Sequence, residues 1–166
     1  AKNIILFIGD GMSMSQITAL RLSQGGPNSR VAVDEFPYSG KVLTHSANAI
    51  VTDSASSGTA FSTGMKTNNR ALGVDVSGNP VENITETLDK SGFVSSVIST
   101  SEVTHATPAA FVAHASSRYL SDEISIQMSN SNIKNILGGG RKFFMTEEDG
   151  GIREDGINLI EKVKAN

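Results

Sequence analysis

Ser54 is the residue of this chain best placed to act as a nucleophile. It follows Asp53 and precedes a run of small residues in VTDSASSGTAFSTGMK, residues 51–66. Asp is a frequent N-cap, the free N–H groups of a helix start attract anions, and small side chains let an anion approach the backbone closely. The stretch is therefore typical of a phosphate pocket. It is also typical of an N-capped, Ser/Thr-rich helix start packed in a core, and spacing alone favours that second interpretation.

Asp10 is a second candidate because of where the sequence places it. Residues 3–8, NIILFI, form an unbroken apolar run ending at Gly9, which predicts a strand buried on both faces of a parallel sheet. Asp10 then falls at the carboxyl end of that strand, the edge at which open α/β sheets bind ligands. A simple Asp-Gly turn explains the same pair of residues. Both interpretations stay open.

A third group of candidates follows the strand predicted over residues 93–100. The loop SEVTHATP, residues 101–108, carries His105 and Thr107, and a helix predicted over residues 108–118 ends in Arg118. His105 and Thr107 are thus expected at the same sheet edge as Asp10. Loop hydrogen bonding for the first two, and a cation at a helix C-terminus for Arg118, are structural alternatives that spacing does not exclude.

Strands and helices alternate along the rest of the chain. This alternation predicts an α/β fold, with a mainly parallel sheet and helices on both faces, in a single domain over residues 1–166. Further strands are predicted over residues 40–46 and 133–137, a loop over residues 68–79, and helices over residues 13–22, 54 onward, 81–90, 122–129 and 157–163.

Composition and charge restrict the function classes. The 166 residues are 38% hydrophobic and 19% charged, as in an ordinary globular chain. The net charge of −3 gives no reason to expect nucleic acid or an anionic membrane as a partner. Cysteine is absent, so a metal site has to use Asp, Glu, His, Ser or Thr. No apolar run reaches the ~18 residues of a membrane span.

A serine hydroxyl needs activation, and no Ser-His-Asp arrangement is evident around Ser54. Metal coordination is the better route, since zinc lowers the pKa of a bound water from about 15.7 to about 7. Two metals about 4 Å apart can stabilise the attacking and leaving oxygens at phosphorus. The planar guanidinium of Arg118 matches two phosphate oxygens.

Three blocks of sequence resemble the alkaline phosphatase family. They are NIILFIGDGM at residues 3–12, VTDSASSGTAFSTGMKTNNRALGVD at residues 51–75 and HATPAAFVAHASSR at residues 105–118. They occur in family order, and the similarity continues to LGGGRKFF at residues 137–144. Family members are far longer than this chain, so it resembles the N-terminal part of a longer catalytic domain.

The resemblance implies a role for each candidate. Ser54 matches the nucleophile that becomes a transient phosphoserine, which a zinc-bound water then hydrolyses. Asp10 matches the carboxylate that bridges a zinc and the magnesium, and Thr107 matches a hydroxyl ligand of magnesium. Arg118 matches the phosphate-binding arginine, and Asp53 matches the acid that orients it. The implied reaction is hydrolysis of phosphate monoesters to inorganic phosphate.

The metal complement implied is two Zn²⁺ and one Mg²⁺. His105 falls where some family members have Asp and others His, and imidazole suits hard magnesium less well than a carboxylate does. Most family zinc ligands come from sequence that this chain lacks, so the 166 residues alone are expected to bind metal weakly and turn over poorly. The resemblance further implies a periplasmic or secreted enzyme that is a homodimer at full length.

Two alternatives remain beside the phosphatase. One is a non-catalytic fragment that binds phosphate or metal without turnover. The other is a related phosphodiesterase or sulfatase-superfamily hydrolase on the same sheet. Sulfatases place a modified cysteine or serine at the nucleophile and diesterases often a threonine, so Ser54 followed by Ala55 and Ser56 counts against both.

Overall fold

The computed structural model describes residues 2–164. The chain divides into two compact units, Ala1–Leu43 and Thr44–Asn166. The prediction of one domain over residues 1–166 stays a prediction. The elements in chain order are α1 (Met14–Gly25), a 3₁₀ helix (Ala32–Glu35), α2 (Ser54–Thr63), α3 (Ile84–Lys90), β1 (Ser96–Glu102), α4 (Ala106–Ala109), α5 (Ser121–Asn130), β2 (Asn135–Gly139), a second 3₁₀ helix (Arg141–Phe144) and α6 (Leu159–Lys164).

The first unit is organised by helix α1. Ser13 caps it through a capping box, in which its hydroxyl accepts from the Ser15 N–H while its own N–H donates to Gln16. The helix ends in a pair of glycines with positive φ. Arg21 then reaches Asp34 in the first 3₁₀ helix, with Nη1 donating to Oδ2 at 2.6 Å. This ion pair joins the two elements of the unit.

The strand predicted over residues 3–8 is absent from the described structure. None of these residues forms a strand there, and the side chains of Ile5 and Phe7 are 79% and 86% exposed. The strand predicted over residues 40–46 is likewise absent, with Leu43 exposed. An apolar run reports a tendency to be buried, whereas a strand also needs a hydrogen-bonded neighbour, which the run itself does not reveal.

The second unit contains a parallel pair of strands. In the described residues β1 pairs with β2 in parallel, with Val97 opposite Ile136 and Ile98 opposite Leu137. The crossover between them contains α4 and α5, as a parallel connection requires. Strands thus combine with helices as the alternation predicted, and the α/β class is confirmed.

The core of this unit lies among small and aliphatic side chains. Helix α5 turns Ile124 and Met128, four residues apart, into the same apolar cluster. The other buried members come from α2, from β1, from the segment around α4 and from the loop after α2. They include Leu72, Val97, Val103, Ala106, Ala109, Ala110 and Ala113.

The helix predicted over residues 108–118 is much shorter in the structure. Helix α4 ends at Ala109, and Ala115 instead exchanges two backbone hydrogen bonds with Leu72, at 2.8 and 2.9 Å. Tertiary pairing of an alanine-rich segment thus overrides its helical propensity. Arg118 therefore lies in a turn that follows the pairing of Ala115 with Leu72, and not at the end of a helix.

Arg153 is a fully buried cation in the loop before α6, with 1% of its surface exposed. Its Nη1 donates to the Ser125 hydroxyl of α5 at 2.7 Å and to the Phe143 carbonyl of the second 3₁₀ helix at 3.2 Å. Its Nε and Nη2 bond both carboxylate oxygens of Asp155. One guanidinium therefore joins three separate segments.

Candidate active site

Asp53 is the hub of the candidate site. It is the N-cap of α2, and its Oδ1 accepts from both the backbone N–H and the hydroxyl of Ser56, each at 3.0 Å. Its Oδ2 accepts from the N–H of Arg70 at 3.1 Å and from Nη1 of Arg118 at 3.2 Å. One carboxylate thus connects the start of α2, the loop after it and the segment that follows α4.

These contacts keep Asp53 ionised. Burial acts to raise the pKa of Asp53, but hydrogen bonds from the Ser56 and Arg70 N–H groups, the Ser56 hydroxyl and Arg118 outweigh it. The pKa of Asp53 therefore lies below its ordinary value of 3.8. The ionised carboxylate supplies the negative charge that pairs with the Arg118 guanidinium.

Arg118 is held through both its backbone and its side chain. Its N–H donates to the Arg70 carbonyl at 2.7 Å, extending the pairing of Leu72 with Ala115. Its Nη1 bonds Asp53, and its Nη2 donates to Nε2 of His105 at 3.1 Å. Arginine can only donate, so Nε2 of His105 is the acceptor here. The guanidinium is fixed before any ligand arrives.

Helices α2 and α4 approach each other closely at Gly58. A side chain at this position would come within 3.0 Å of the Ala110 Cβ and 3.6 Å of both the Ala106 carbonyl and the Thr107 Cα. Ser54 lies four residues before Gly58 and so shares its face of α2. The missing Cβ therefore brings the helix face of Ser54 towards the segment of Thr107.

A small cavity of about 180 Å³ opens beside these residues. Glu102, His105, Arg118 and Tyr119 are among its lining side chains. Arg118 and Glu102 already have partners, since Asp53 pairs with Arg118 and Lys142 pairs with Glu102 at 2.9 Å. The cavity is thus lined by the guanidinium of Arg118, and each of its two paired charged side chains, Arg118 and Glu102, is matched by a side chain of opposite charge.

The alkaline phosphatase family model matches residues 1–166. The chain belongs to the alkaline phosphatase family.

Curated alkaline phosphatases match nearly the whole chain. The tissue-nonspecific alkaline phosphatase isozyme of Felis catus is 34% identical over 96% of this chain, and alkaline phosphatase 4 of Bacillus subtilis is 37% identical over 86% of it. The matches span only 39% and 34% of those two relatives. The chain thus spans less than half the length of each of these two relatives.

Solved alkaline phosphatases have the same fold over this part. The enzyme of the Antarctic bacterium TAB5 superposes with a TM-score of 0.80 at 34% identity, over 90% of this chain and 42% of its own. That of Thermus thermophilus gives a TM-score of 0.84 at 31% identity, over 94% and 33%. A variant of the TAB5 enzyme with a histidine replaced by aspartate has Mg bound in a site called M3.

The described residues contain no ready-made cluster of metal-ligating side chains. Within residues 2–164, no three His, Asp or Glu side chains are arranged to hold a metal ion. Thr107 and His105 lie on or next to α4, while Asp10 belongs to the other compact unit, in a turn in which the Met12 N–H donates to the Gly9 carbonyl. The described residues do not by themselves fit a closed zinc or magnesium site.

The structure brings together most of the predicted site residues of the second unit. Asp53 bonds Arg118, Arg118 bonds His105, and the α2 face of Ser54 turns towards Thr107. Their catalytic and metal-binding roles stay predictions. Asp10 is the one predicted site residue that belongs to the first unit.

Sequence reasoning missed two residues in the loop after α2. Arg70 donates its N–H to Asp53, and Asn69 accepts from the Asp53 N–H at 3.2 Å and from the Ser56 hydroxyl at 3.0 Å. The Asn- and Gly-rich composition predicted only a loop here. No local signal in it indicates which loop residue returns to the helix start.

Proposed function

We propose that this chain supplies the nucleophile and the phosphate-binding arginine of a metal-dependent phosphate monoester hydrolase. The observation that carries the proposal is the single carboxylate of Asp53, which caps the helix of Ser54 and also holds Arg118. The same carboxylate therefore holds both the helix that carries the proposed nucleophile and the arginine that is proposed to bind the anion. Family membership supports the same reaction class.

In the proposed reaction Arg118 binds two oxygens of the phosphoryl group, and Asp53 keeps the guanidinium in place. The Ser54 oxygen bonds to phosphorus as the bond from phosphorus to the ester oxygen breaks. The alcohol leaves with a proton, and the serine proton passes to solvent. Water then attacks phosphorus, releases inorganic phosphate and returns a proton to Ser54. The two steps together consume one water.

Zinc and magnesium belong to the proposal for the complete protein. Asp10, Thr107 and His105 are proposed as part of the ligand set for two Zn²⁺ and one Mg²⁺, with the remaining ligands outside this sequence. Bound metals supply charge that stabilises the oxygens at phosphorus. On this proposal the 166 residues are the N-terminal part of a longer catalytic domain, and the polypeptide alone turns over poorly.

Substrates, location and assembly follow from the family and are proposed with it. The substrates are small phosphate monoesters, and the complete protein is periplasmic or secreted and forms a homodimer. Among the described residues, every helix is too short or too polar to cross a bilayer.

The test is release of nitrophenol from 4-nitrophenyl phosphate at alkaline pH with zinc and magnesium supplied. The full-length gene product and the 166-residue polypeptide are compared, each with Ser54→Ala. A matched control is Ser129→Ala in α5, whose hydroxyl bonds only the backbone of its own helix in the described contacts. Ser54→Ala is expected to abolish turnover and the acid-trapped phosphoserine, and Ser129→Ala to retain both. Full activity in Ser54→Ala contradicts the proposal.

The incomplete ligand set favours one alternative for the isolated polypeptide, namely phosphate binding without turnover. Calorimetry with inorganic phosphate and the 166 residues tests it, with Arg118→Ala as the variant that loses binding. Turnover of the 4-nitrophenyl sulfate or of bis(4-nitrophenyl) phosphate above that of the monoester would instead support the sulfatase or diesterase alternatives.

A further inference from the structure

Arg70 has an unusual backbone conformation at the centre of the candidate site. Among residues 2–164, Arg70 is the one non-glycine residue whose φ is positive, at 75°. The left-handed region costs an ordinary L-residue about 1 kcal/mol or more, and such strain tends to persist at functional sites. Both peptide groups of Arg70 are engaged, since its N–H donates to Asp53 and its carbonyl accepts from Arg118. The site thus imposes a conformation for which glycine is the natural choice, yet the residue is arginine.

The side chain of Arg70 is positioned rather than loose. Its guanidinium carbon lies 5.9 Å from the centroid of the Tyr119 ring, in cation–π range. Tyr119 follows Arg118 directly and lines the same 180 Å³ cavity as Arg118 and His105. The Arg70 charge therefore stands over an aromatic ring at the border of the proposed phosphate site.

This charge has no carboxylate partner in the described part of its own unit. Within residues 44–164, ion pairs link Asp53 with Arg118 and Glu102 with Lys142, but none involves Arg70. Both Arg70 and Tyr119 are exposed. A guanidinium with its fork accessible and its plane held by a ring is prepared for an incoming anion.

We propose that Arg70, held over Tyr119, binds a second anionic group carried by the leaving group of the phosphate monoester. This inference rests on the proposed function, because it assumes that Arg118 binds the phosphoryl group that is transferred. Arg70 then acts as a specificity residue, favouring esters whose alcohol bears a carboxylate or another phosphate over esters of neutral alcohols.

The experiment measures kcat/KM of the full-length gene product for phenyl phosphate and for 4-carboxyphenyl phosphate. The informative quantity is the ratio of the second value to the first, since differences in intrinsic reactivity cancel between variants. Arg70→Gly is expected to lower that ratio by about five- to tenfold, as loss of one exposed charge-assisted contact should. Arg70→Lys should give an intermediate ratio and Tyr119→Ala a smaller loss. The difference should shrink at high salt.

Lys134→Ala is the matched control, because it removes one exposed positive charge of the same unit from outside the cavity lining. It should leave the ratio unchanged. Glycine accepts the φ of residue 70 without strain, so Arg70→Gly is expected to fold, and circular dichroism checks this.

An unchanged ratio in Arg70→Gly, or an equal fall in Lys134→Ala, overturns the inference. Failure of the proposed function has a different signature, namely full turnover of both esters by Ser54→Ala. The two outcomes are therefore read from different variants.

Discussion

The carboxylate of Asp53 has two structural roles, as the N-cap of α2 and as the counter-ion of Arg118. As an N-cap it accepts a hydrogen bond from a backbone N–H at the start of α2. As a counter-ion it also holds Arg118, which lies 65 residues further along the chain. Substitutions at this residue can separate the two roles, because asparagine keeps an acceptor oxygen for the cap but loses the charge.

Asp53→Asn is therefore expected to keep the cap, and so to cost less stability than loss of the whole side chain. It should weaken phosphate binding, because the amide nitrogen that replaces Oδ2 faces the Arg70 N–H and Arg118, which only donate. Asp53→Ala should lose the cap as well and destabilise by about 1 kcal/mol or more. Thermal unfolding measures the first effect and the inhibition constant of inorganic phosphate the second. Equal losses of stability in both variants would show that the charge, and not the cap, dominates.

His105 is the site residue whose chemistry fits its proposed neighbour least well. Carboxylate oxygen suits Mg²⁺ better than an imidazole does. His105→Asp in the full-length gene product is expected to bind Mg²⁺ on the order of tenfold more tightly. Metal content after dialysis against graded Mg²⁺ measures this.

The same substitution at His45, to which no role is assigned, is the control. A magnesium affinity that is unchanged in His105→Asp, or raised equally in His45→Asp, would show that His105 is not part of the proposed Mg²⁺ site.

Residue type alone anticipated part of this site. Asp53 as a cap followed from its type and place, and the structure has it there. The pairing of Asp53 with Arg118 followed only from family resemblance, because local patterns carry no information about contacts 65 residues apart. Arg70 was missed altogether, since neither a positive φ at arginine nor a return of that loop to Asp53 has a sequence signature.

At the scale of elements, the spacing of α2 and α4 sets the site. Gly58→Ala should add helix propensity worth about 0.5–1 kcal/mol but place a Cβ 3.0 Å from that of Ala110. We expect little change in melting temperature and a fall in kcat of about tenfold, as α4 shifts relative to Ser54.

The double variant Gly58→Ala, Ala110→Gly removes the clash and should recover most of the activity lost. Steady-state kinetics of the full-length gene product with 4-nitrophenyl phosphate measure both. An unaltered kcat in the single variant would mean that the helix spacing is not what positions the nucleophile.

Elements with strong periodicity were predicted better than those defined by partners. The helix expected over residues 122–129 is α5 at Ser121–Asn130, and the strand expected over residues 133–137 is β2, shifted to Asn135–Gly139. The shift brings glycines into the strand, and a side chain at Gly138 would lie 2.8 Å from Val103 Cγ1. Glycine here marks close packing instead of the turn that its usual preference indicates.

At the scale of the whole molecule, the chain exposes much apolar surface. Ile4, Ile5, Leu6 and Phe7 are each more than half exposed, with Phe7 at 86%. Contiguous exposed apolar side chains favour association. The 166-residue polypeptide alone is expected to bind a hydrophobic dye and to self-associate with rising concentration, as seen by sedimentation velocity.

Ile5→Lys combined with Phe7→Lys should reduce both signals. Ile157→Lys, at a less exposed apolar residue outside this run, should not. A monomeric polypeptide without dye binding would contradict the expectation.

Arg153 has a consequence for the order in which the chain folds. The desolvation cost of its guanidinium is offset only when α5, the second 3₁₀ helix and Asp155 are all in position. We therefore expect these contacts, which need three segments at once, to form after the folding transition state. Arg153→Met should therefore leave the folding rate nearly unchanged and speed unfolding by about 30-fold, for a cost of about 2 kcal/mol. Stopped-flow measurements of the folding and unfolding rates in urea test this. Arg141→Met, at an exposed arginine, is the control and should leave both rates unchanged.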